Sequence, residues 1–443
     1  MSHKKDTTRR EFIKTAATMT AGVSTLSSLT LITRPERVFG ANDRVRVGVC
    51  GLHGRGKDHI DAFARVPHVE IAALCDVDES VLNKRREELG GRPRTFVDIR
   101  QLLDDPTIDA ISIATPNHWH ALMGIWACQA SKDVYIEKPC SHNLWEGRQL
   151  VRAAQKYRRI VQHGTQSRSA PAMIDAIKHV RGGTFGEIYM ARGLCFKRRD
   201  TIGHAEVEPV PRGVDYNLWT GPAPLKPFTR NRFHYNWHWL FDTGNGDLGN
   251  QGVHQIDAAR WGLGVGFPNR ICAMGGHFMF DDDQETPNTQ ISAFHYPDEK
   301  KMLVFEVRHW MTNPEDVGTL NKSDSNSIGV IFYGSDGYMV IPSYTAYKVF
   351  LGKKREPGPE KNKGGDHYLN FISAMRSRKT EDLHAPAVEG HQSAALCHLA
   401  NIAYRTRKAL EFDPKAERFV GDNAANAMLT REYRKPYVVP DKV

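Results

Sequence analysis

Beyond residue 40 the apolar positions follow two patterns. In the first, short, nearly continuous apolar runs alternate with helical stretches. Val45-Arg46-Val47-Gly48-Val49-Cys50 suits a parallel strand buried on both faces. It leads into the turn Gly51-Leu52-His53-Gly54-Arg55-Gly56 and a helical pattern over 57–65, and a second apolar run over 69–74 ends in Cys75-Asp76. Helical patterns follow at 79–89 and 98–103, then a strand at 110–114 ending in Thr115-Pro116-Asn117-His118-Trp119-His120. A helix at 121–130 precedes a strand at 133–136 that ends in Glu137-Lys138-Pro139. In the second pattern, stretches over 187–196, 270–280, 290–296, 301–308 and 327–341 read as strands, with turns at Pro297-Asp298 and Ser335-Asp336-Gly337. Amphipathic helices at 367–376 and 390–407 close the fold, which is therefore α/β.

The order strand, glycine turn, helix, strand, acid is that of a dinucleotide-binding unit. Glycines let backbone amides approach a pyrophosphate at a helix N-terminus, whose dipole favours negative charge. Read as GxGxxG, the turn has His53 at the second glycine position, with Gly54 beside it. Asp76 follows Gly56 by 20 residues, where a carboxylate meets the adenosine ribose hydroxyls. An acid there repels a 2′-phosphate and favours NAD; a guanidinium at Arg55 can accept that phosphate, which keeps NADP open. Ligands bind outside the carboxyl ends of parallel strands, so Asn117 and His120 after one strand, and Glu137 and Lys138 after the next, are placed for chemistry.

A chain of 443 residues exceeds what one core organises, so two domains are expected. The net charge of +9 does not describe a nucleic-acid surface: four of those charges sit in residues 1–40, and the rest form no basic run. The seven cysteines contain no CxxC pair, and Cys50, Cys75, Cys195 and Cys272 lie in strand-like apolar runs. Buried thiols are expected, rather than a disulfide scaffold or zinc knuckle. Residues 1–40 read as an address. Thr8-Arg9-Arg10-Glu11-Phe12-Ile13-Lys14 is a twin-arginine pattern, the stretch over 15–32 is weakly apolar and rich in hydroxyls, and Val38-Phe39-Gly40 offers a cleavage site. This resembles a Tat signal, which carries folded proteins, and it predicts a periplasmic or otherwise exported protein without stable membrane insertion.

The glycine turn, Thr115-Pro116-Asn117 with His120, Glu137-Lys138-Pro139, Gly164-Thr165-Gln166 and Gly246-Asp247-Leu248-Gly249-Asn250-Gln251-Gly252-Val253-His254 together resemble the Gfo/Idh/MocA oxidoreductases, the family of glucose–fructose oxidoreductase and inositol dehydrogenase. Trp219-Thr220-Gly221-Pro222 and the aromatic stretch 233–239 are similar to its secreted, Tat-exported subgroup. The resemblance implies a signal at 1–40 and a Rossmann domain at 41–165. It implies, at 166–443, an α/β domain on a large, open, mostly antiparallel sheet, associating as a dimer or tetramer. It also implies NAD, or NADP, contacted by Gly51, His53, Gly54, Arg55, Gly56, Asp76, Thr115, Pro116, Asn117, His120, Glu137, Lys138 and Gln166. The implied substrate is a sugar or cyclitol whose secondary alcohol exchanges hydride with the cofactor. Export adds that the cofactor is held tightly, because free NAD is scarce outside the cytoplasm.

The resemblance makes Lys138 the catalytic lysine, and the proline behind it restricts Lys138 to extended backbone angles. His254 matches the family's histidine and is the candidate base, since imidazole titrates near neutrality; otherwise it reads as a buried core histidine. Where the family carries an aspartate four residues before that histidine, this chain has Asn250, which orients a hydroxyl but takes no proton. Asp257, three residues after His254 on the same helical face, is the substitute carboxylate, and Asp247, in the glycine-rich turn, is set aside. Tyr235, Trp237 and His238 suit stacking on a sugar's apolar face while bonding its hydroxyls. Arg168 and Arg232 read as contacts to an acidic substituent or as ordinary surface arginines. No metal is expected, because His234 and His238 at i,i+4 have neither an HExxH frame nor a cysteine partner. Two further readings stay open. One is a redox-neutral glycoside-processing cycle with transient oxidation, although the histidine pattern of NAD-dependent N-acetylgalactosaminidases is not found. The other is a cofactor- or sugar-binding protein without catalysis.

Overall fold

In a computed structural model of the protein, residues 43–313, 315–321 and 326–443 are described. The twin-arginine segment and its cleavage site lie outside them. Strands β1 (Val45–Cys50), β2 (Val69–Cys75), β3 (Arg94–Phe96), β4 (Ala110–Ile113), β5 (Asp133–Ile136) and β6 (Val161–His163) form a parallel sheet in the order β3-β2-β1-β4-β5-β6. Every residue of β4 and β5 is buried, as the unbroken apolar runs require when helices cover both faces. The strand order reverses between β1 and β4, which opens a crevice beyond their carboxyl ends.

The second sheet has ten strands: β7 (Ile188–Lys197), β8 (Arg270–Gly276), β9 (Thr289–Tyr296), β10 (Lys301–Arg308), β11 (Asn326–Gly334), β12 (Gly337–Ser343), β13 (Ala346–Leu351), β14 (Glu356–Asn362), β15 (Leu410–Asp413) and β16 (Arg418–Phe419). Their order is β14-β13-β12-β11-β7-β10-β9-β8-β15-β16, antiparallel except where β7 runs parallel to β10. One face packs Phe294, Phe305 and Phe332 against Ile256 and Ala259 of helix Gly252–Leu263 and Leu399 of helix Ala387–Thr406. The opposite face leaves Met274, Ile291 and Met302 exposed. Strict alternation along β9 separates the two faces.

The expected α/β architecture with a large, mostly antiparallel second sheet is what forms. Some elements differ from expectation. The run over 327–341 is two strands, β11 and β12, folded back at Ser335-Asp336 as the turn expected there requires. Strand β14, with Pro357 and Pro359, has no apolar pattern; it sits at the sheet edge, where missing amide donors cost no ladder bond. The helix read over 121–130 begins at Asn117, capped by Pro116, so Asn117 and His120 belong to its first turn. Six cysteines are buried, but Cys272 is exposed on the open face of β8, contrary to the expected burial.

Candidate active site

Helix Gly54–Ala64 starts at the carboxyl end of β1, with His53 extended at its N-cap. Gly51 has φ +79°, and a Cβ there would meet the backbone of Ala114 and Thr115 at 2.7 Å, so the turn lies directly on the end of β4. A Cβ on Gly56 would come 1.7 Å from the Gly51 carbonyl oxygen; only glycine lets the helix close on its own entry turn. Asp76, at the end of β2, accepts from the amides of Leu52 at 2.7 Å and Asp78 at 3.0 Å. Burial raises its carboxyl pKa, opposed by those two amides. Beyond the turn opens a cavity of about 320 Å³, lined by Gly51, His53, Gly54, Arg55 and Asp76 on this side. A glycine cradle at a helix N-terminus, with a carboxylate at the end of the next strand, fits a dinucleotide.

Glu137 organises the adjacent wall. Its Oε1 accepts from Arg55 Nε at 2.9 Å, Gln166 Nε2 at 2.9 Å and His59 Nε2 at 3.1 Å, and its Oε2 from the Lys138 amide at 3.0 Å. Burial opposes ionisation here, yet Arg55 and His59 hold the carboxyl well below the usual range. Four of the assigned contacts have particular surroundings here. Arg55 lines the cavity with its guanidinium bonded to Glu137, Asp58 and Tyr368. Gln166 and Gly56 do not line the cavity; the first braces Glu137 and Tyr135 from behind, the second packs the turn. His120 does line it, but both ring nitrogens face backbone carbonyls, Thr115 at 2.7 Å and Pro139 at 2.6 Å, so it ties the ends of β4 and β5 together. Thr115, Pro116 and Asn117 complete that edge, with Asn117 Nδ2 bonded to Asn245 Oδ1 at 3.0 Å.

Lys138 reaches across to the second sheet's helices. Its Nζ donates to the main-chain oxygen of Asn250 and, at 3.3 Å, to Asn250 Oδ1. Burial, with help from Arg55 and Lys197, lowers the ammonium to about 8 against the pull of Glu137 and Asp247. Asn250 lines the same cavity; His254 does not. It is buried one turn further on, its ring 4.9 Å from that of Tyr344 and its Nδ1 without a hydrogen-bond partner. Burial and the neighbouring Lys138 push the imidazole well below its ordinary value, so it is neutral.

Two assigned residues are elsewhere. Asp257 does not support His254: its carboxylate is held by Arg168 through Nε at 2.8 Å and a second guanidinium nitrogen at 2.9 Å, and by Ser393 Oγ at 2.7 Å. The same pair removes Arg168 from any substrate role, because it is buried between Asp257 and Glu389 rather than at the cavity. Tyr235, Trp237 and His238 line the same cavity as the glycine turn. Trp237 stacks on His238 at 3.6 Å, and burial lowers that imidazole to about 3.

The segment carrying these rings crosses the cofactor end of the crevice. The amide of Glu79 donates to Gly213, that of Asp215 to Val77, each at 3.0 Å, and Val214 bridges Asp78. Further along, the Leu218 and Trp219 carbonyls accept from Trp119 Nε1, and a Cβ on Gly221 would strike that indole at 2.3 Å. His234 then meets His53 with ring centroids 4.7 Å apart. Sequence reasoning set Asp247 aside and missed Arg199 and the path of this strap, on which the Trp219–Pro222 motif and the aromatic stretch 233–239 both lie.

Residues 45–165 match the oxidoreductase family with an NAD-binding Rossmann fold, and residues 192–269 and 351–439 match that family's C-terminal alpha/beta domain. Among curated proteins, a glycosyl hydrolase family 109 protein of Shewanella sp. (strain ANA-3) is 29% identical over 201 residues, covering 41% of this chain and 44% of its own length. The chain thus spans less than half the length of the curated relatives it matches. A levoglucosan dehydrogenase solved with NADH and levoglucosan superposes with TM-score 0.63 at 18% identity, over 83% of this chain and 99% of that one. An aldose-aldose oxidoreductase from Caulobacter crescentus, complexed with glycerol, gives TM-score 0.62 at 18% identity, over 83% and 100%. At such identity the likeness is one of fold. With both halves matched by the same family, this chain belongs to the Gfo/Idh/MocA oxidoreductases and has their NAD-binding Rossmann fold.

Proposed function

We propose that the protein moves hydride between a secondary alcohol of a sugar or cyclitol and a nicotinamide cofactor resident in the cavity. The observation that carries this reading is the position of Lys138. It lines one cavity together with the glycine cradle, Asp76 and the rings of Tyr235, Trp237 and His238. NAD, when bound, supplies the hydride acceptor. Lys138 orients the substrate hydroxyl and, its pKa lowered to about 8, takes up the hydroxyl proton in its neutral amine form as the carbinol carbon is oxidised. The aromatic rings stack on the sugar's apolar face and exclude water. His254 is neutral behind this group and does not line the cavity.

The strap pinned over the β2 end supports a cofactor that stays bound between turnovers. The twin-arginine pattern supports loading in the cytoplasm followed by export through the Tat route to the periplasm. No helix among the described residues is long and apolar enough to cross a membrane. Exposed Met274, Ile291 and Met302 support pairing of copies through the open sheet face. A second reading, transient oxidation within a glycoside-processing cycle, is favoured by the match to a glycosyl hydrolase family 109 protein and by a resident cofactor.

A sugar and glycoside panel, followed at the reduced-nicotinamide absorbance, tests both. Stable accumulation of the reduced cofactor supports the dehydrogenase, and a transient signal with product release supports the redox-neutral cycle. Silence across the panel in dinucleotide-loaded protein would overturn both in favour of a binding protein.

A further inference from the structure

Asp247 stands in the short helix Gly246–Asn250, fully buried. Arg199 grips its two oxygens at 2.6 and 2.8 Å, and His309 Nε2 approaches at 2.8 Å. A further bond bears on the chemistry. Asn250 Nδ2 donates to Asp247 Oδ1 at 3.1 Å, while Asn250 Oδ1 accepts from Lys138 Nζ at 3.3 Å. A carboxamide serves a carboxylate and an ammonium together in one orientation only, with its amino group toward the first and its oxygen toward the second. The same carboxylate also sets the cavity rim, because Arg199 donates to the Tyr235 hydroxyl at 3.1 Å.

We propose that Asp247 is a positioning residue for Lys138, acting through the Asn250 side chain as a fixed relay. The chain thereby keeps an acid behind its lysine, although position 250 carries no charge. This inference rests on reading Lys138 as the proton-holding group of the site.

The charges facing Lys138 make the consequence specific. Glu137 lies beside it on the end of β5, Arg55 comes from helix Gly54–Ala64, and Lys197 from β7. His120, His238 and His254 face it from the surrounding elements. Of the groups that act on the amine, Glu137 and Asp247 are the acids that favour its charged form. Removing Asp247 takes away one of the two and frees the amide to turn.

The test is the pH dependence of Lys138 acylation by acetic anhydride in the full chain, read on its peptide by mass spectrometry. In Asp247→Asn the apparent pKa of the amine is expected to fall by about half a unit to one unit. Asn250→Ala, which leaves the Asp247–Arg199–His309 group intact, is expected to shift it the same way by less. The acid limb of the turnover profile should move with it. An unmoved Lys138 profile in folded Asn250→Ala would overturn the relay whether or not Asp247→Asn folds. Outcomes for the two readings separate. A shifted amine in a protein that transfers no hydride leaves the relay standing and removes the oxidoreductase, and hydride transfer with an unmoved amine does the reverse.

Discussion

Glu137 and Asp247 are both buried carboxylates beside Lys138, each held ionised by an arginine and a histidine. They differ in what stands behind them. The main cation of Glu137 is Arg55, whose side chain is 42% exposed, whereas Asp247 faces Arg199 at 18% and His309 at 3%. Arg55 can swing to water if its partner is lost; the partners of Asp247 cannot. Glu137 also touches Lys138's own backbone, while Asp247 reaches the amine through Asn250. The first carboxylate belongs to the cofactor wall and tolerates adjustment. The second belongs to the core of the other domain and holds the amine from a rigid side.

The comparison breaks most visibly at Lys138 itself. Lys138→Ala should cut turnover roughly 10³-fold while leaving the fold and the bound cofactor in place. A variant that fails to fold would instead make the lysine structural. Asp247→Leu should cost roughly 3–5 kcal/mol in denaturant unfolding, because it leaves the Arg199 guanidinium and the buried His309 ring without their acceptor. Glu137→Leu should cost about 1–3 kcal/mol, since Arg55 escapes and only His59 stays buried. Equal losses would erase the distinction drawn between the two sites.

Acid titration sharpens it further. Both carboxyls are depressed, so their stabilisation is present above the unfolded carboxylate range and disappears only as pH falls through their folded values. Burial lowers His118, His238 and His398 to about 3 and His163 and His367 to about 4. The unfolded chain protonates these imidazoles near their ordinary value and the folded chain does not. Their contribution is therefore full above about pH 6.5 and declines below it, by about 1.4 kcal/mol per pH unit for each net proton. Glu146, raised to about 7 by burial, works the opposite way, its contribution fading as pH rises through that value. Unfolding midpoints taken at about pH 7, 6 and 5 should fall steadily, and a flat profile would contradict the neutral buried histidines. The smallest effect is expected at Asp76. Asp76→Asn should reduce the preference for NAD over NADP by about tenfold, seen by dinucleotide titration; an unchanged preference would displace Asp76 from the ribose.

Residues whose roles are local were legible. Gly51, Asp76, Glu137 and Lys138 sit at strand ends, and strand ends are readable from apolar runs. Tyr235, Trp237 and His238 stood out by composition as a cluster of rings and polar groups, and the fold brings all three to the cavity. Arg168 and Asp257 were assigned from neighbours in sequence, but their environment is set by each other and by Glu389, 221 residues beyond Arg168. Asp247 was set aside for lying in a glycine-rich turn. That turn is the first part of a buried helix, and its partners Arg199 and His309 come from 48 and 62 positions away.

By itself the sequence determined the alternation of buried strands and helices, the glycine cradle and the family, because apolar periodicity, backbone freedom at glycine and short motifs act within a few residues. Only the tertiary structure decided which carboxylate stands behind Lys138, that His254 lies behind the cavity rather than in it, and that a strap from residue 213 onward closes over the β2 end. Those outcomes depend on which distant side chains meet when two sheets pack, and a buried charge takes its partner from whatever the fold brings within hydrogen-bond reach.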